Sequence, residues 1–593
     1  MKKIYITLTC LVGLLTSCND EFMDRYPLDE ITDENFWKTE QDLELYCNSF
    51  YTEYITGFGT GWGTSTVAPY GYNEAIAYGD VITDNAAPEA YSKVAADQYN
   101  TYVGGGSGSS GWSWENIRDL NYFLGNYQRG DVAEEVRNIY LGEVLFFKAW
   151  DYFKKVKTFG DVPWITHALE TNSPELYAPR DSREVVMDSV MRILNQSIEL
   201  LPTKGEEKAD RLNKDIALHL KSRIGLYEGT YRKYHPELGL DGTAFLTASV
   251  EAAEQLMTGG YSLYSTGNPS TDYNDLFATY SYDGNPEVIL WREYSADLTY
   301  GVAFSRYYAQ NLRHRHGATR NLVDEYLCED GLPLSQSPLF MGKDSIQSEM
   351  MNRDPRLPQT VANFGTYNLQ DGVQGANNAP FPNIPGLTGN KCPTGYRVAK
   401  WFLNDPADWD RVTNGMQAAL VFRYAEVLLN YAEAKYELGG MDQAVLDNSV
   451  NIIRARVDMP PLMLGSIPSD PMLDGNYATY CDYVPEAVLR EIRRERRVEL
   501  AFESFRWDDL MRWKAGKFLE IPVEGIKFVQ EQFPNVIVDK DVFLSEEGYL
   551  LPYYQTLPDG RAFDEEKQYL FPIPIEDLVL NSNLEQNPGW ESN

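Results

Sequence analysis

Cysteine, histidine and clustered positive charge are all scarce in this 593-residue chain, and each shortage removes a class of function. Six cysteines occur with no CxxC spacing, so neither a zinc ribbon nor a thioredoxin-like motif is present. Cys10 and Cys18 lie near the start; Cys47, Cys328, Cys392 and Cys481 could form two disulfides in any of three pairings. Of five histidines only His314 and His316 sit close together, and alternate spacing is not the i, i+4 geometry of a zinc protease. HExxH and the GxSxG nucleophile elbow are both absent. Lysine and arginine total 52 against 87 acidic residues, a net charge of −35, which argues against nucleic acid because phosphate contacts need clustered cations. Long apolar runs are missing as well, apart from Ile4 to Leu15, which is too short to span a bilayer.

That short run is itself informative. Lys2 and Lys3 precede it, and Leu15-Thr16-Ser17-Cys18 follows as a lipoprotein box. Residues 1–17 therefore read as a signal peptide cut before Cys18, whose thiol and amine become acylated with palmitate-type chains. Each buried methylene contributes about 0.8 kcal/mol, so two or three chains hold the protein on a membrane almost permanently. The polar, proline-bearing stretch from Asn19 to Pro27 suits a leash between anchor and fold.

Aromatic residues make up 13% of the chain, including 41 tyrosines and 12 tryptophans, many of them in loop-like stretches. A flat apolar face with a polar edge suits a sugar ring, although rings on helical stripes serve helix packing. Helical periodicity dominates two regions, roughly 120–260 and 418–515. From Val421 the apolar positions Ala425, Leu428, Ala432 and Tyr436 share one face while Glu426, Asn430, Glu433 and Glu437 line the other, which predicts an amphipathic helix ended by Gly439-Gly440. A second helix is expected from Met441 to Val457. Similar pairs are predicted for 133–157 with 182–201, for 213–230 with 243–258, and from Pro485 to Lys514. The pattern Asp181-Ser-Arg-Glu184 marks a helix start, and Gly142, Phe146 and Ala149 carry a GxxxFxxA spacing of tetratricopeptide type. The fold class expected is all-α, with tetratricopeptide-like helix pairs and a large irregular, loop-rich half holding a few short strands such as Val288–Trp291. The loop-rich stretches are 57–115, 265–415 and 520–570, all within one globular body spanning 18–593.

Three features resemble chemistry without supporting it. Gly106-x-Gly108-x-x-Gly111 matches a dinucleotide fingerprint but follows no strand, so it reads as a loop. A glycosidase needs two opposed carboxylates, and among 87 acidic residues such a pair has no specificity. In Glu491 to Phe502 the charges alternate in sign, so (i, i+3) and (i, i+4) partners such as Arg496 with Glu499 would neutralise one another, some of them partly buried.

Motifs ordered along nearly the whole chain resemble the SusD/RagB family of outer-membrane nutrient-binding lipoproteins of the Bacteroidetes. They are Asp24-Arg-Tyr-Pro27, Asn35-Phe-Trp37, Ile117-Arg-Asp-Leu-Asn121, Gly142-Glu143, Phe159-Gly-Asp-Val-Pro163 and Arg211-Leu-Asn-Lys214. Further along come Arg353-Asp-Pro-Arg356, Phe422 to Ala434, Glu495-Arg-Arg-Val-Glu-Leu500, Arg506-Trp507, Phe571-Pro-Ile-Pro574 and Gln586-Asn-Pro-Gly-Trp590. The resemblance implies a non-catalytic surface protein that binds an oligo- or polysaccharide and delivers it to a SusC-like TonB-dependent transporter, lipid-anchored on the cell surface. A surface-anchored glycoside hydrolase is the alternative, and a purely structural or adhesive lipoprotein a third reading. In relatives the sugar contacts follow the Asp-Asn equivalent to Asp84-Asn85 and recur in mid-chain. Position therefore nominates Tyr91 first, with Trp62, Tyr72, Tyr102 and Trp112, then Tyr282, Trp291, Tyr300, Tyr307 and Arg313. No cofactor is implied; a structural ion such as calcium stays open.

Overall fold

The computed structural model describes residues 36–59, 76–98, 111–296, 301–310, 315–362, 383–387 and 390–591. The Cys18 lipobox, Trp62, Tyr72, Tyr102, Tyr300, Arg313 and the glycine run 104–110 lie outside them. Helices dominate. The first, Glu40–Tyr54, opens on a capping box in which Thr39 and Asp42 satisfy each other's backbone amides. The helix pairs then follow: Glu134–Phe159 with Arg183–Leu200, and Lys214–Tyr234 with Thr243–Met257.

Small residues set these crossings. Ser197 donates to the Gly142 carbonyl at 2.6 Å, and a Cβ on Gly142 would lie 3.1 Å from the Leu200 Cβ. Gly225 is tighter: its Cβ would lie 2.6 Å from the Phe245 carbonyl oxygen. The N-cap of the 183–200 helix is Ser182, which accepts from the Val185 amide, while Asp181 accepts from the Trp164 amide. Stacked in this way, the pairs form a tetratricopeptide-like scaffold around one large hydrophobic core.

Two predicted helices differ from expectation. Val421 and Phe422 belong to a strand, Ala419–Arg423, and the helix begins at Tyr424 and runs to Glu437. That strand pairs antiparallel with Val288–Arg292, placing Trp291 opposite Leu420. The span 441–457 is two helices, Gln443–Asp447 and Val450–Arg456. Ser449 interrupts it, because its hydroxyl bonds back to the Val445 carbonyl at 2.5 Å and competes with the helix ladder.

The polar face of the 424–437 helix is not a solvated face. Glu426, Asn430, Glu433 and Glu437 are all buried. The same holds for the helix Ala487–Glu499, where Arg490 through Arg497 are at most 3% exposed. The expected neighbour pairing of Arg496 with Glu499 is replaced by longer-range partners. Arg496 binds Asp509 and Asn430, while Glu499 is held by Arg356, Arg423 and Arg456. Backbone geometry alone allowed the local pairs; packing on both faces brought better-oriented guanidinium forks from other elements.

The irregular half has a second core rich in aromatic rings. It also contains short helices that periodicity did not reveal, such as Asp272–Phe277, Phe304–Gln310, Arg320–Glu325 and Ile346–Met350, each too short to show a repeat. Two two-stranded sheets complete the described residues. Cys47, Cys328, Cys392 and Cys481 are free thiols. No described helix is long and apolar enough to cross a membrane.

Candidate functional site

Asp84 and Asn85 anchor the segment that carries Tyr91. Burial would raise the Asp84 carboxyl, but the Arg497 and Arg506 guanidiniums, each 2.8 Å away, outweigh it and hold the group below its ordinary value. Asn85 donates to Asp80 at 2.9 Å and accepts from Arg497 Nε at 2.9 Å. The strand Ala86–Ala87 then pairs with Gly317–Ala318, and Arg561 donates to the carbonyls of Thr83 and Ala86. Tyr553 fixes the exit of the strand by donating to the Pro88 carbonyl at 2.6 Å.

Tyr91 emerges four residues after this strand, half-buried, with its ring edge-on to Tyr553 at 6.1 Å. Its hydroxyl donates to the exposed Gln98 side chain at 2.7 Å. Beside it Glu89 and Arg315 form an ion pair at 2.9 Å, because the strand pairing brings mid-chain residue 315 next to residue 89. Tyr554, 55% exposed, stacks on Phe543 with ring centroids 4.8 Å apart. The result is a shelf in which the Tyr91 ring is held in place near the polar side chains of Gln98, Glu89 and Arg315, while Tyr554, next in sequence to Tyr553, exposes its ring in a separate stack on Phe543. Such a surface can stack on a flat apolar ligand face and exchange hydrogen bonds at its edge.

The other nominated rings are distributed differently. Trp112 is 3% exposed, wedged edge-on between Trp114 and Phe159, and offers no face to a ligand. Tyr282 is also 3% exposed; it packs edge-on against Trp291, which is half-buried on the Val288–Arg292 strand. Tyr307 is half-buried on the Phe304–Gln310 helix. No described ring contact links these four to Tyr91. Tyr554 and Arg315 were missed. Only the Gly-Tyr-Leu-Leu-Pro-Tyr-Tyr composition near 554 hints at the first, and the second depends on a strand pairing across some 230 residues. His316 is buried among the Tyr78 and Tyr308 rings, and no described cluster of three His, Cys, Asp or Glu residues could hold a metal.

A tetratricopeptide-like scaffold carrying an irregular half defines a class of helical-repeat proteins. Within that class this chain belongs to the SusD family, whose model matches residues 286–590, more than half of its length. A second family model, described as "Starch-binding associating with outer membrane", matches residues 33–226. SusD-like protein P38 of Formosa agariphila is 24% identical over 88% of this chain and 94% of its own. A SusD-like protein of Bacteroides ovatus is 21% identical over 99% and 98%. Among solved structures, a SusD-like carbohydrate binding protein of Bacteroides fragilis superposes with a TM-score of 0.71 at 22% identity, covering 93% of this chain and all of that one. A laminarin binding SusD-like protein gives 0.55 at 18% identity, covering 93% of this chain and all of that one.

Proposed function

We propose that this chain is a non-catalytic glycan-binding lipoprotein of the cell surface, a single body tethered through Cys18, that captures an oligo- or polysaccharide and passes it to a SusC-like TonB-dependent transporter. The observation that carries the reading is the shelf at Tyr91: an oriented ring with a polar rim on a rigidly anchored strand end. Ring stacking adds about 0.5–1.5 kcal/mol per contact, so a single site binds weakly and selects by shape. Trp291 and Tyr307 are secondary candidates for further sugar contacts, with Tyr554 added from its exposure.

Affinity gels loaded with a polysaccharide panel test the reading. Starch and laminarin enter the panel because the family description and one structural neighbour name them. Retarded migration with no new reducing ends is expected; release of reducing ends would favour the glycoside hydrolase, and no retardation on any polysaccharide would refute glycan binding. Cys18→Ala should move the protein out of the membrane fraction.

A further inference from the structure

One ion pair beside Tyr91 is placed there by the backbone. In the two-stranded sheet Ala86 faces Ala318 and Ala87 faces Gly317, so extending the antiparallel register by two residues sets Glu89 opposite Arg315. The second strand is held from its other side as well, since the Ala318 amide donates to the Tyr396 carbonyl at 2.8 Å. Thr319 ties it to the anchor: its amide donates to the Asn85 carbonyl at 3.0 Å and its hydroxyl to the Asp84 carbonyl at 2.6 Å. Arg315 itself adopts a left-handed φ of 43°, a conformation costly to a residue with a Cβ and concentrated at ligand clamps.

Both side chains stay open to solvent, Arg315 42% and Glu89 52% exposed, unlike the buried tie that Arg497 makes with Asp84. The pairing is also one-sided. Arg315 Nη1 donates to both Glu89 oxygens, at 3.1 and 2.9 Å, and among the described residues Nε and Nη2 have no hydrogen-bond partner. The guanidinium charge is therefore balanced while part of its donor set is unused. Two residues along the chain from Glu89 stands the Tyr91 ring, its hydroxyl engaged by Gln98 at 2.7 Å.

Resting on the reading of Tyr91 as a glycan shelf, we propose that the Glu89–Arg315 pair makes that shelf selective for neutral sugars. Arg315 donates its spare N–H groups to sugar oxygens, and Glu89 excludes carboxylated or sulfated residues. A uronate approaching Arg315 must displace a carboxylate already tethered beside it, at an effective concentration on the order of millimolar or more, and a weak sugar contact loses that exchange. A hydroxyl does not compete for the charge; it accepts from a spare N–H and leaves the pair intact. The net charge of −35 adds repulsion of anionic ligands at longer range.

Affinity gels at one fixed ionic strength test this, loaded with the neutral polysaccharides of the panel, starch and laminarin among them, or with polygalacturonate or alginate. A neutral polysaccharide should retard the wild-type protein about tenfold more strongly than either polyuronate. Glu89→Gln, which keeps the side-chain shape but removes the tethered competitor, should gain about tenfold on polygalacturonate. Adding Arg315→Met should abolish that gain. Glu135→Gln removes the same charge from the exposed first turn of the 134–159 helix and should gain nothing. Equal retardation of the wild type by neutral and uronate polymers, no gain in a folded Glu89→Gln variant, or an equal gain in Glu135→Gln would each overturn the proposal. The wild-type comparison decides the matter even if a variant fails to fold. Retention by no polysaccharide removes the glycan reading and this selectivity with it, whereas strong retention by a polyuronate overturns the selectivity alone.

Discussion

Two buried carboxylates show how the helical and irregular halves use charge differently. On the 424–437 helix, Glu433 accepts both prongs of Arg512, at 2.7 and 2.6 Å, and the Trp513 indole at 2.6 Å. Burial would raise its pKa, but Arg512, with Arg493 and Arg496 nearby, brings it down to about 2. In the irregular half, Glu349 receives the Tyr396 hydroxyl at 3.0 and 2.9 Å, and burial, reinforced by Asp324, pushes it up to about 7. One carboxylate is ionised and clamped by guanidiniums; the other favours its proton in an aromatic core. The scaffold therefore relies on ion pairs to orient its helices, whereas this part of the irregular half tolerates a neutral acid.

Breaking the guanidinium cluster should have the largest effect. Glu499→Gln leaves Arg356, Arg423 and Arg456 facing a neutral group, with an expected loss of about 3–5 kcal/mol in urea unfolding or no folded protein at all. The pH dependence of stability sharpens the contrast. Glu433 is lowered from 4.5 to about 2, so its contribution is complete above pH 4.5 and is lost as pH falls toward 2. Glu349 is raised from 4.5 to about 7, so the folded state holds its proton longer and stability declines as pH rises from 4.5 to 7. Each window spans about 3 kcal/mol. Glu433→Gln should flatten the acid limb and Glu349→Gln the neutral one, both read from melting curves between pH 2 and 8.

A smaller cost is expected where helices cross most closely. Gly225→Ala pushes a methyl against the Phe245 carbonyl and should destabilise by about 1–3 kcal/mol, measured by the same unfolding curves. Smallest of all is Tyr91→Ala. It should weaken polysaccharide retention by about 1 kcal/mol, roughly fivefold, and leave the melting temperature nearly unchanged, since the ring touches only a small satellite core. A large loss of stability in Tyr91→Ala would make the shelf a structural element and remove the support it gives to glycan binding.

Much of the scaffold was legible because helix pairs write their period locally. Ala149 and Phe146, Leu428 and Ala432, and the Ser182 cap can be read without knowing what they face. The irregular half hid its helices because four to seven residues cannot display a 3.6-residue repeat. Aromatic candidates divided for a similar reason. Tyr282 and Tyr91 have the same chemistry in sequence, and burial alone separates a core ring from a shelf ring.

The sequence by itself determined the helix-pair architecture, the acidic character and the family, because periodicity, composition and ordered motifs are properties of neighbours along the chain. Tertiary structure decided where the charge goes. Arg497 meets Asp84 across 413 positions, Arg423 meets Glu287 across 136, and Arg315 meets Glu89 across 226. An alternating run of arginine and glutamate can neutralise itself along one helix or bind elsewhere, and the choice depends on which surfaces close over it. Here both faces closed, so the charges turned outward from their own helix and tied the two halves together.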